Sequence, residues 1–164
     1  MLGGGLTHCT PCAWNRFPCS YGVASNMCLV PLHPLPSRYM WDGDLFALLD
    51  WCVQNVPARY RYEICKKLVQ TSISKGALDR EQASTTLLTL VRMGIVSVDQ
   101  AVEGFYRLLW CIDELCLDEP STPDMVARFI VRAIADEVLP TDFLDTIPDS
   151  VLVAKRCVLL CPCV

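Results

Sequence analysis

Apolar positions recur at helical spacing through the middle of this chain, and no stretch alternates as a strand would. The plainest run opens on Ser97-Val98-Asp99-Gln100, a capping box of the Ser-x-x-Gln type. Val98, Ala101, Val102, Phe105, Leu108, Leu109 and Ile112 then follow at offsets 0, 3, 4, 7, 10, 11 and 14. A later run has Ser121 or Thr122 as its cap and Pro123 near its first position, where proline is tolerated. It continues through Met125, Val126, Phe129, Ile130, Ala133 and Ile134. Leu139-Pro140 is expected to break it, and Thr141 to Leu144 to make one last short turn.

Three more helices precede these. The first runs through Leu45, Leu48, Leu49 and Val53 with Asp42 or Asp44 as cap. Asn55-Val56-Pro57 stops it, because a residue before proline avoids helical angles. The second spans Arg59 to Ser74, with Tyr60, Ile64, Cys65 and Leu68 on one face and Lys75-Gly76 as its end. The third spans Arg80 to Met93, capped by Asp79, with Leu87, Leu88 and Val91 inward and Gly94 as its stop. Five helices with short links predict an all-α stack of antiparallel hairpins over residues 37–149. Trp41, Trp51 and Trp110 sit among apolar neighbours and are expected in the core.

The flanks differ in kind. Residues 1–36 hold Gly3-Gly4-Gly5 and Pro11, Pro18, Pro31, Pro34 and Pro36, which forbid a long helix, with Arg16 as their one charge. Residues 150–164 are apolar and cysteine-rich. Both read as irregular tails, and one expectation is that they come from a misplaced start or a retained intron. No signal peptide is expected, since no basic segment and apolar run open the chain. No run reaches the ~18 apolar residues of a membrane span.

Charge then narrows the function class. The formal net charge is -4, which argues against nucleic acid held by bulk charge. From Arg38 to Ile112 there are 9 basic and 8 acidic residues; from Asp113 to Asp149 there are 2 basic and 10 acidic. Such an asymmetry suits a basic protein partner. It peaks in Asp113-Glu114-Leu115-Cys116-Leu117-Asp118-Glu119-Pro120, read as an acidic, proline-marked loop between two helices. Four carboxylates fall within seven residues there, and no basic residue lies between Arg107 and Arg128. If the helix continues, Glu114 and Asp118 share a face. A solvated surface and a protein-binding surface both fit this pattern.

Other chemistry finds less support. Eleven cysteines invite a metal reading, with Cys9-x-x-Cys12, His8, Cys19, Cys28, His33 and Cys161-Pro-Cys163 as candidates. Their spacing is irregular and lacks the paired knuckles of a zinc site, so neither metal nor cofactor is expected. Cys52, Cys65, Cys111 and Cys116 are spaced as small buried apolar residues. The terminal Cys161-Pro162-Cys163-Val164 is a poor prenylation box. Both histidines lie in the first tail, so the helical part has no histidine base for Cys or Ser chemistry, and no glycine-rich phosphate loop is present. A protein-binding module is expected rather than a catalytic pocket, in a reducing cytoplasmic setting with nuclear presence left open.

From about Tyr39 to Leu144 the chain resembles the MA-3 (MA3) domain family, nearest to the branch of programmed cell death protein 4 and its plant multi-copy relatives. The matching pieces are Tyr39-Met-Trp-Asp-Gly-Asp44, Val56-Pro57, Val96-Ser-Val-Asp-Gln100 and Gly104-Phe105. Leu117-Asp118-Glu119-Pro120 and Phe129-Ile-Val-Arg-Ala-Ile-Ala-Asp136 complete the set. The resemblance implies a HEAT-like helical fold and a translation-regulatory adaptor. It implies binding to the DEAD-box RNA helicase initiation factor 4A, whose closed, RNA-bound state the inhibitory members oppose. The family's acidic contacts fall here on Glu114 and Asp118, with Asp113, Glu119 and Pro120 beside them. One copy is found in this sequence, where inhibitory members usually carry two or more. The alternative is a HEAT-like scaffold for another protein partner, or a fragment of a multi-copy protein.

Overall fold

The structure, a computed structural model, describes residues 44–147. The expectations for Trp41, the Asp42 cap, both tails, and their cysteines and histidines lie outside the described residues. Within them are seven α-helices and no strand. In order these are α1 Leu45–Asn55, α2 Tyr62–Ile73, α3 Ala77–Arg92, α4 Val98–Trp110, α5 Ile112–Asp118, α6 Thr122–Ala135 and α7 Phe143–Thr146. The all-α, HEAT-like architecture expected from the sequence is present.

Helix α2 is the centre of the stack and packs against α3, α4 and α6. Ile64, Cys65, Leu68 and Val69 are fully enclosed there, facing Phe105 and Leu108 of α4 and Val126 and Ile130 of α6 in one continuous core. Burial of this much aliphatic and aromatic surface is the main stabilising term, roughly 1.5–3 kcal/mol per large side chain. Polar groups at the α2–α4 contact are paired. Glu63, nearly buried, lies 3.5 Å from Arg107 and 3.9 Å from Lys66. Arg107 also bonds Glu103 at 2.6 Å and stacks 4.3 Å over the Tyr62 ring. The short α7 docks on α4 through Phe143, which meets Phe105 edge-on at 6.3 Å, and through the Tyr106 and Thr146 hydroxyls.

Helix ends follow local chemistry, with several differences from the sequence reading. Asp44 caps α1 by accepting from the Ala47 N–H at 3.0 Å. The Ser97–Gln100 box forms in both directions, at 3.1 and 3.2 Å. The expected second helix begins instead as a 3-10 turn, Ala58–Tyr60, before α2 proper. Helix α3 starts at Ala77, earlier than Arg80, because Gly76 is its cap, with a φ of -68°. Asp79 reaches back from the third helical position to the Gly76 N–H at 3.0 Å. Gly76 therefore opens α3 and is not the left-handed stop of α2.

Helices α3 and α6 close in the same way. Gly94 at φ 67° and Glu137 at φ 59° each follow the helix in left-handed conformation. The next residue then donates back to the last turn: Ile95 to the Leu90 carbonyl at 3.0 Å, Val138 to the Ala133 carbonyl at 2.8 Å. The break expected at Leu139-Pro140 thus comes earlier, at Asp136-Glu137.

Burial corrects other expectations. Trp110 is 58% exposed and not a core residue, while Trp51 is half-buried against the core. Val98 and Val53 are also open to solvent, at 40% and 50%. Cys52 and Cys65 are buried, but Cys111 and Cys116 only partly. Burial pushes the Cys52 thiol up to about 11, against a lowering by Arg61, and the Cys65 thiol up to about 12. Both are inert apolar fillers at neutral pH.

Candidate functional site

The acidic segment is a helix and not the loop that its charge density and Pro120 suggested. Helix α4 ends at Trp110, and Cys111 takes φ -94° and ψ 10°. The chain then re-enters helix as α5, with Leu115 donating to the Cys111 carbonyl at 3.1 Å. The long stripe read from Val98 to Ile112 is therefore broken one residue before its end. Ile112 still lands in the core, because this break leaves it on the inner side of α5.

Helix α5 has two faces. Ile112 is buried, and Leu115 and Cys116 pack partly on the core. Asp113, Glu114, Leu117 and Asp118 are all exposed on the other side. Glu114 and Asp118, four residues apart, stack one turn above the other. Leu117, 86% exposed, stands among the carboxylates, and exposed Trp110 precedes them.

The C-terminal end of α5 is fixed to α6. The Glu119 carboxylate accepts the Ser121 hydroxyl at 2.7 Å and the Ser121 N–H at 3.3 Å. These bonds, hydroxyl first, hold its acid below the ordinary 4.5. Buried Thr122 donates to the Glu119 carbonyl at 2.6 Å. Of the five residues singled out in the sequence, Asp113, Glu114 and Asp118 thus share the open face and Pro120 is exposed in the turn below. Glu119 is half-buried and tied to the start of α6.

This arrangement works against stability. Like charges one turn apart cost roughly 0.2–0.5 kcal/mol. A carboxylate at a helix C-terminus, as Asp118 is, opposes the macrodipole by a similar ~0.3–1 kcal/mol. Asp113 sits favourably in the first turn. None of the three makes an ion pair among the described residues. By contrast, Glu63, Glu81, Glu103 and Asp136 are all paired with arginine. An acidic helix face with an apolar tip, unpaired among the described residues, can dock a basic surface. Among the described residues no three His, Cys, Asp or Glu side chains group to hold a metal ion, and no helix is long and apolar enough to cross a membrane.

Trp110 and Leu117 are surface features that sequence reasoning missed. Their apolar character points inward, but Trp110 falls off the buried face of α4 and Leu117 off the inner face formed by Ile112, Leu115 and Cys116, and helical phase is the signal that places both outside.

Comparison with known proteins agrees with the helical stack. Residues 52–140, more than half of the chain, match the model of the MA3 domain. The chain is 36% identical over 117 residues to MA3 domain-containing translation regulatory factor 4 of Arabidopsis thaliana, covering 69% of this chain and 18% of that protein. It is 31% identical over 107 residues to factor 2 of the same plant, covering 65% of this chain and 15% of the relative. With human programmed cell death protein 4 it shares 29% over 120 residues, 73% of this chain and 25% of that protein. The chain thus spans a quarter or less of the length of these relatives. The family model covers the stack from the last turn of α1 through α6, and the chain belongs to the MA3 domain family.

Proposed function

We propose that this chain is a translation-regulatory adaptor that binds the DEAD-box RNA helicase initiation factor 4A through the exposed face of α5. The observation that carries this reading is the pairing of Glu114 and Asp118 on one open helix face with no ion-pair partner among the described residues. The names of the relatives, translation regulatory factors in the plant, support the regulatory part. Glu114 and Asp118 supply the charge contacts, Asp113 adds to the field, and Pro120 and Glu119 set the angle of the turn. Regulation is then a population shift: the adaptor favours one arrangement of the helicase lobes, by no more than its difference in affinity for the two. The cytoplasm is the setting this function requires.

The test is a pull-down of purified initiation factor 4A by the wild-type chain and by the Glu114→Lys, Asp118→Lys double variant. Loss of capture with unchanged helical circular dichroism is expected, since both side chains are exposed. Equal capture by the two proteins rejects the site.

A further inference from the structure

A second surface has the opposite charge. The segment from Asp113 to Asp149 contains only two basic residues, Arg128 and Arg132. Both line one open groove between α3 and α6, of about 260 Å³, and Arg80 of α3 joins them. Partly open Met125 is its main apolar surface, with an edge of the buried Phe129 beneath it.

The three guanidiniums are not equivalent. Arg132 is occupied, bonding Asp136 at 2.6 Å and lying 3.2 Å from Glu81 across the groove. Arg80 donates one N–H to the Lys75 carbonyl and makes no ion pair among the described residues. Arg128 is exposed and makes no ion pair among the described residues. With Glu81 and Asp136 both on Arg132, the three arginines leave the groove a net charge of +1, and Arg80 and Arg128 are the two guanidiniums without a carboxylate among the described residues. Guanidinium forks bind carboxylates with two parallel hydrogen bonds.

We propose that the α3–α6 groove is a docking site for an acidic peptide segment, with carboxylates on Arg80 and Arg128 and an apolar side chain on Met125 and Phe129. Charge complementarity and this apolar surface together define this occupant. A nucleic acid fits less well, because the protein is net acidic and the groove has no further basic track along which a phosphate backbone could run. The site is separate from the α5 face and does not depend on the helicase reading.

Fluorescence anisotropy of the full chain with a short labelled peptide of glutamates, interrupted by leucine and phenylalanine, tests this. Binding is expected to saturate and to weaken with added salt. The Arg80→Glu, Arg128→Glu variant should bind about tenfold or more weakly, as charge reversal at a docking pair does. Arg80→Lys, Arg128→Lys, which keeps the charge but not the fork, should fall between; it also serves if charge reversal disturbs folding. The Glu114→Lys, Asp118→Lys variant should bind the peptide as the wild type does. The proposal is overturned by the absence of binding, by equal binding of the reversed variant, or by equal binding of a lysine version of the peptide. Arg128-dependent binding of a single-stranded oligonucleotide in preference to the acidic peptide also overturns it.

Discussion

Gly104 of α4 lies directly against the backbone of Tyr62 in α2. A methyl group in place of its hydrogen would sit 2.6 Å from the Tyr62 carbonyl oxygen and 2.9 Å from the Cys65 Cβ. Neither neighbour is the end of a flexible side chain, so neither can swing away. In an isolated helix, alanine would be favoured over glycine by roughly 0.8–1 kcal/mol. Here the two central helices approach too closely for that gain to be realised.

Gly104→Ala should therefore destabilise the domain by about 1–3 kcal/mol, the range for overpacking a filled core. Urea denaturation followed by circular dichroism measures this. A variant as stable as the wild type would mean that α2 and α4 are not in backbone contact at this point.

Glu137 invites the reverse substitution. It holds φ 59° at the end of α6, in the role that Gly94 fills after α3. Left-handed backbone costs a residue with a Cβ roughly 1–2 kcal/mol. Glu137→Gly should raise the denaturation midpoint by the equivalent of about 0.5–1 kcal/mol, less than the full strain because glycine gains freedom in the unfolded chain. A drop in stability would show that the Glu137 side chain contributes more than its backbone costs.

The Glu119–Ser121 contact predicts a pH dependence. Hydrogen bonds from Ser121 hold the Glu119 acid below its ordinary 4.5 in the folded state. A depressed folded value means that the contribution is fully present above 4.5 and is lost as pH falls through the lower, folded value. Glu119→Gln should therefore be less stable than the wild type near pH 7, and the gap should close in acid. Denaturant midpoints taken across this range decide it; a gap that is constant with pH assigns the effect to shape and not to charge.

The sequence by itself determined the five longer helices and most of the positions that turn inward. That information is local: apolar spacing, the Ser97–Gln100 box and the stop at Gly94 act within a turn or two of the residues that carry them. It also determined the acidic cluster at Asp113–Glu119, because charge density is visible without a fold. The tertiary structure decided what that cluster is. The break at Cys111 is not marked by proline or glycine. It converts the expected loop into α5, sets Asp113, Glu114 and Asp118 on one open face, and ties Glu119 to Ser121. Trp110 and Leu117 reach the surface because each falls off the buried stripe of its own helix, although both are apolar. Arg80, Arg128 and Arg132 meet across a groove only because α3 and α6 both pack on α2. Local pattern sets the helix and its buried stripe, but which exposed residues become neighbours depends on how far apart in sequence the packed helices lie, and only the fold supplies that.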